Sequence, residues 1–250
     1  MTPLVKLLRL MDGERPAMGK IYDRMFVLKE KIEASVVSWK DKAAKIHSDR
    51  WEYVHSEFHA AGYALDPEFM EMSDLDEATQ NGLINVIEKI CYRDVLAEAD
   101  DLAAARRTIT MDSDVVQTRV AKTMEQLAKY QAKEGIFTKA FVLANAKTMA
   151  PATWWATYGK HLPLVESVAR RVLAQPCSAS SAERNWSVYG QIKTKDRSAL
   201  GHARGDKLVY CHEALHLKGK LQDAGYTQAV EKWDSDSDSD ASDDEEDLKA

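Results

Sequence analysis

Apolar residues recur along most of this chain at the three-and-four spacing of a helix that buries one side. Leu4 to Leu10 is apolar with basic interruptions, and Asp12-Gly13 followed by Pro16 ends whatever it forms. From Gly19, the positions Ile21, Met25, Leu28, Ile32 and Val36 make one stripe, with Lys, Glu and Arg between them. Ser48 or Asp49 is placed to cap a helix from Arg50 to Leu65, with Trp51, Val54, Phe58 and Ala61 or Tyr63 inward, until Asp66-Pro67 stops it. A further helix is predicted from about Asp74 through Leu83, Ile84, Ile87 and Ile90 towards Val95. Residues 112–134 repeat the pattern with Val115, Val116, Val120, Met124, Leu127 and Tyr130, and Gly135 is expected to close it.

In the last third, Leu164, Val168 and Val172, beside Val165, Ala169 and Leu173, predict a strongly apolar helix up to Pro176. Ser180 and Glu183 have capping-box spacing, so a helix is expected to start there. Lys193 to Arg204 reads as a basic connector, and Leu208, Cys211 or His212, and Leu215 mark a final amphipathic helix. Alternating β-branched runs are scarce, and no repeat occurs at any period from about 20 to 50 residues. The expected fold class is all-α.

Charge changes this picture at one end. Of the 40 acids, nine fall in residues 234–250 with a single Lys, leaving 33 cations against 31 acids on the rest. The segment from Trp233 has almost nothing apolar to bury and repels itself, so it is expected to be a disordered acidic tail. Ser235, Ser237 and Ser242 each have an acid three residues on, the pattern an acidophilic kinase prefers. Three cysteines, Cys91, Cys177 and Cys211, are an odd and scattered set, which favours neither a disulfide scaffold nor a zinc ribbon and suits a reducing compartment. The N-terminal cluster is too short and too charged for a signal peptide or anchor, so cytosol or nucleus is expected and no membrane partner.

Candidate chemistry is sparse. His55 and His59, and His212 and His216, are spaced four apart as helical metal ligands are, but neither pair has a third ligand nearby and no metal is assigned. No G-x-G-x-x-G, G-x-x-x-x-G-K-[ST] or G-x-S-x-G motif is present. Arg170, Arg171, Arg184, Lys193, Lys195, Arg197, Arg204 and Lys207, interleaved with Trp186 and Tyr189, could neutralise phosphates and stack on bases. The same residues read equally as a solvated basic face with Trp186 in the core.

The segment CSASSAERNWSVYGQIKTKDRSALGHARGDKLVYCHEALHL resembles the C-terminal dimerisation region of hAT superfamily (hobo/Activator group) transposases. Cys177, Ser178, Ser180, Ser181, Glu183, Arg184, Asn185, Trp186 and Ser187 match that family's S-S-S-x-x-E-R-x-[WF]-S core. Lys207, Leu208, Val209, Tyr210 and His212 match its K-L-V-Y-x-H close. Trp154, Trp155, Tyr158 and Gly159 are similar to the segment that precedes the core in plant-type relatives, as are LLRLMDGERPAMGKIY and RWEYVHSEFHAAGYALDPEF to elements further upstream.

The resemblance implies an RNase H-like fold interrupted by a helical insertion, with two Asp and one Glu holding two divalent metals. Only the Glu carries over, onto Glu183, and one carboxylate cannot clamp two ions. The expectation is therefore a truncated or domesticated relative: an insertion-domain-like remnant over 1–150, a dimerisation region over 151–220 made of the terminal helices of the RNase H-like fold, and the tail over 234–250. It is expected to be no enzyme and to need no cofactor, Mg²⁺ or Mn²⁺ entering only if another chain supplies the missing Asp residues. Homodimerisation is expected through Leu164, Val168, Val172, Trp186, Leu208, Val209 and Leu215, in the nucleus. The alternative is a DNA-binding fragment using Arg184, Lys193, Lys195 and Arg197 that completes a site with another chain. Against DNA contact, Asp196, Ser198 and Ala199 stand where relatives usually carry Lys, Asn and Arg.

Overall fold

The computed structural model describes residues 2–12, 16–71, 75–193 and 201–222. Among these residues there are helices and no strand. The helices are α1 (Thr2–Asp12), α2 (Met18–Ala34), α3 (Lys40–Val54), α4 (Glu57–Leu65), α5 (Glu77–Ala97), α6 (Leu102–Thr108), α7 (Asp114–Gln131), α8 (Ala140–Thr148), α9 (Pro151–Tyr158), α10 (Pro163–Leu173), α11 (Ser180–Ile192) and α12 (His202–Gln222), with short 3-10 turns at Pro67–Phe69 and Gly135–Thr138. The chain divides into two units, Met1–Cys177 and Ser178–Ala250. Position 150/151, the boundary expected between insertion-like and dimerisation segments, lies inside the first unit. The acidic tail lies outside the described residues.

The first unit has a continuous core. α4 is its hub, packed between α2 and α5, with α7 on α5 and α10 against α4, α7 and α9. Small residues make this possible: a Cβ on Gly62 would stand 3.0 Å from Met18, so α2 and α4 approach almost backbone to backbone. The predicted stripes of α5 and α7 are inward at Leu83, Ile87, Ile90, Val116, Val120, Leu127 and Tyr130, while Val115, in the first turn of α7, is exposed. α7 ends at Gln131, earlier than Gly135, and the reversal passes through Lys133 (φ 53°) and Gly135 (φ 64°).

Trp154 and Trp155, adjacent on α9, are fully buried and spend their indole N–H groups in different directions. Trp154 Nε1 donates to the Val142 carbonyl at 3.0 Å, and Trp155 Nε1 to the Leu65 carbonyl at 2.8 Å, tying α9 to α8 and to the end of α4. Phe137 stacks on Trp154 at 5.5 Å and Tyr130 tilts against Trp155 at 4.7 Å. These aromatic contacts, with their burial, fix the middle of the unit.

One expected helix is two. The stripe over Arg50 to Leu65 is broken at His55-Ser56, where α3 stops and α4 starts. Ser56 is the N-cap, and its backbone N–H donates to His59 Nδ1 at 3.1 Å, so His59 serves as a helix cap and shares no helix with His55. Burial, and then the nearby His55, hold the His59 imidazole below its usual pKa, which suits an acceptor. The break turns Ala60, Ala61 and Gly62 inward and leaves Val54 and Phe58 exposed, correcting their expected place in the core.

α10 carries its apolar face as read. Val165, Val168, Ala169, Val172 and Leu173 are buried in the first unit. Its N-cap, Leu162, offers no side-chain acceptor, and Pro163 opens the helix. The acceptor comes from α7 instead: Gln126 Oε1 receives the Leu164 N–H at 2.9 Å and the Val165 N–H at 3.4 Å.

Candidate self-association surface

The second unit is a hairpin of α11 and α12. α11 begins at Ser180 as expected, but Ala179 is the N-cap, in helical conformation, and no side chain caps it. Ser180 is thus one position inside the helix, and the N-cap falls one residue before the expected one. Glu183 is exposed.

The hairpin closes around three side chains. Lys193 Nζ lies 2.7 Å from His202 Nδ1, Tyr189 Oη lies 3.2 Å from the same atom, and Lys193 Nζ sits 5.6 Å above the Tyr189 ring. Gly205 meets Tyr189: a Cβ there would stand 3.8 Å from the ring, in ordinary contact. One turn on, Trp186 and Tyr189 approach edge to face at 5.7 Å, and Ala182, Asn185, Trp186, Tyr189, Asp206 and Val209 line the groove between the helices. These pairings run antiparallel and bring Ser180 opposite about residue 215. At roughly 1.5 Å per residue, the 13 residues of α11 span about 20 Å and the 21 of α12 about 32 Å, so the last turns of α12 extend past α11.

Among the described residues, little covers the hairpin. Trp186 is 71% exposed, Tyr210 75%, Leu215 70% and Leu217 50%, and Leu208 is exposed with them. Trp186 is therefore no core residue. Val209 is half-buried towards α11. Beside the expected stripe of Leu208, Cys211 and Leu215, α12 shows a second at Tyr210, Ala214 and Leu217, also exposed. The sequence signal for it, a four-then-three spacing, is present in YCHEALHL.

The expected association residues divide accordingly. Val168 (2% exposed) and Val172 (0%) are spent in the core of the first unit, and Leu164 is half-buried, so the α10 face offers little to another chain. That part of the expectation is corrected: a helix face covered by its own unit has no apolar area left to trade. Trp186, Leu208 and Leu215 remain exposed.

The basic candidates fare unevenly. Lys193 is engaged within the hairpin, Arg171 Nη1 pairs with Asp94 at 2.5 Å and Arg170 Nη1 with Glu166 at 3.2 Å. Arg204 and Lys207 are exposed. Lys195 and Arg197 lie outside the described residues, and the Arg184 side chain is likewise not described. His212 and His216 stack at 6.3 Å between ring centroids. Among the described residues no three His, Cys, Asp or Glu side chains converge where a metal could bind, and no helix is long and apolar enough to cross a membrane.

Residues 127–215 match the family model of the hAT family C-terminal dimerisation region. The chain carries a hAT dimerisation region. The match runs from the second half of α7 to Leu215 in α12, so this region includes the buried α9–α10 segment of the first unit as well as the hairpin. No curated protein and no solved structure matches the chain. The dimerisation region supplies the context for the uncovered hairpin: its apolar residues lie within the matched span, Leu217 excepted.

Proposed function

We propose that this chain is a self-association module of hAT transposase descent, in which the α11–α12 hairpin pairs with a second copy and performs no phosphoryl transfer of its own. The observation that carries this reading is the hairpin itself: two helices whose large apolar side chains are exposed, inside a segment that matches a dimerisation region. An apolar surface of that kind is costly in water and is relieved by a partner. In this reading α11 and α12 correspond to the terminal helices of an RNase H-like fold, supported by the order of the S-x-x-E-R and K-L-V-Y-x-H motifs. Glu183 descends from the catalytic Glu and takes no catalytic part by itself, and the protein works in the nucleus.

Light scattering coupled to size exclusion tests the association. The expected mass at micromolar concentration is that of two chains, and a single-chain mass throughout that range would refute the reading. The catalytic half is tested separately, with a DNA duplex and Mn²⁺. No cleavage is expected, and cleavage that disappears in Glu183→Gln would replace this reading with that of a transposase fragment acting on DNA.

A further inference from the structure

Resting on the self-association reading, we infer that the second copy docks on one particular side of the hairpin: the face built from Trp186 on α11 and Tyr210, Ala214 and Leu217 on α12, with Ala214 against its own equivalent across a two-fold axis.

The placement follows from side-chain positions. Trp186 and Asp206 line the same groove, and Tyr210 lies one turn beyond Asp206 on that side of α12. Ala214 and Leu217 continue the line at four and three residues, the spacing that keeps one helix face towards a partner helix. All four are exposed. Leu208, Cys211 and Leu215 form the competing stripe, but it belongs to α12 alone.

Size decides between them. A single helix of about 32 Å length and about 10 Å width presents a footprint of roughly 300 Å². A stable interface buries about 800 Å² on each partner. By the same measure α11 adds about 200 Å², so a face that spans both helices offers about 500 Å² where a stripe on α12 alone offers about 300 Å². Trp and Tyr are also the residues that most often anchor interfaces, because they bring large rigid area at small entropy cost. Symmetry then sets the axis. Across a two-fold axis, a residue that lies on the axis meets its own equivalent. Tyr210 and Leu217 flank Ala214, and the small Ala side chain lets two α12 helices approach closely there.

Cross-linking tests the face in the full-length chain. Ala214→Cys in a Cys211→Ser background is treated with a short bis-maleimide, alongside Cys211→Ser alone and Cys211→Ser with His212→Cys. Position 212 is about 200° around the helix from 214. All three positions are exposed, so the fold is undisturbed, and circular dichroism verifies it. A covalent dimer is expected for the 214 thiol and for neither comparison chain. Leu217→Glu should weaken the dimer at least tenfold by sedimentation, and Leu208→Glu by less than threefold. A dimeric mass without a 214 cross-link, or a stronger effect at Leu208, would overturn the assigned face and leave self-association standing. A single-chain mass in the parent protein would overturn both.

Discussion

Removing the Gln126 side-chain carbonyl should unravel the start of α10. The first free backbone donors after Pro163 are the Leu164 and Val165 N–H groups, and both are met by Gln126 Oε1, at 2.9 and 3.4 Å. No other side chain caps the helix. In Gln126→Ala one good hydrogen bond and one long one are lost, at a helix end that is half-buried. Losing a helix cap costs about 0.5–2 kcal/mol and a buried donor left unmatched costs about 1–3 kcal/mol. A cost of about 1.5 kcal/mol is therefore expected for the pair, the weaker bond adding little. In a unit of this size that lowers Tm by roughly 3–6 °C. The assay is thermal and urea unfolding by circular dichroism, with Gln126→Glu as the comparison. Glu keeps the acceptor and adds a negative charge at a helix N-terminus, so it should retain most of the stability. Equal stability of Gln126→Ala and the parent would refute the capping argument. An equal loss in Gln126→Glu would show that packing, and not the acceptor, matters.

Three further outcomes follow from buried polar groups in the first unit. Tyr130 Oη is buried with no hydrogen-bond partner among the described residues, so Tyr130→Phe should leave stability unchanged or raise it by about 1 kcal/mol, and a loss in urea unfolding would contradict this. Burial raises the Asp66 carboxyl to about 7, against the opposing pull of the Glu68 backbone N–H and of Lys20. The folded state then holds a proton that the unfolded chain releases near pH 4, so stability should fall, by up to a few kcal/mol, as pH rises from about 4 to about 7. Asp66→Asn should flatten that slope, and an unchanged slope would show that Asp66 does not titrate there. Trp155→Phe removes the donor to the Leu65 carbonyl and should cost about 1–3 kcal/mol, measured against Trp154→Phe, which unties α9 from α8 instead.

The helices were legible where one apolar face met one core. α5 and α7 sit within two or three residues of the periodicity, because a three-and-four pattern has a single way to lie on a covered surface. The break at His55-Ser56 was not, since Trp51, Val54, Phe58 and Ala61 keep helical phase straight through it. A cap made by His59 on Ser56 lies outside the usual Ser-x-x-Glu pattern. The motif S-x-x-E-R located α11 but misplaced its cap by one residue, a register that depends on backbone angles at Ala179. For the candidate surface, periodicity marks which residues are apolar and is silent on who covers them. Val168 and Leu215 look alike in sequence, yet one is buried by α4, α7 and α9 and the other projects from the free end of a hairpin. Tyr210 stands inside the K-L-V-Y-x-H match, where its family role hides its place in a second stripe.

With Trp39, Trp51 and Trp233 replaced by Phe, the remaining indoles give the molecule two independent optical reporters. Trp154 and Trp155, sealed in the first unit, should emit at short wavelength until that unit melts, while Trp186, open on the hairpin, should emit at long wavelength in a lone chain. Dilution and heating would therefore shift the spectrum through different chromophores. Dissociation changes the emission of Trp186 while the α9 pair stays dark to the change, so assembly and unfolding can be followed in one cuvette without a label.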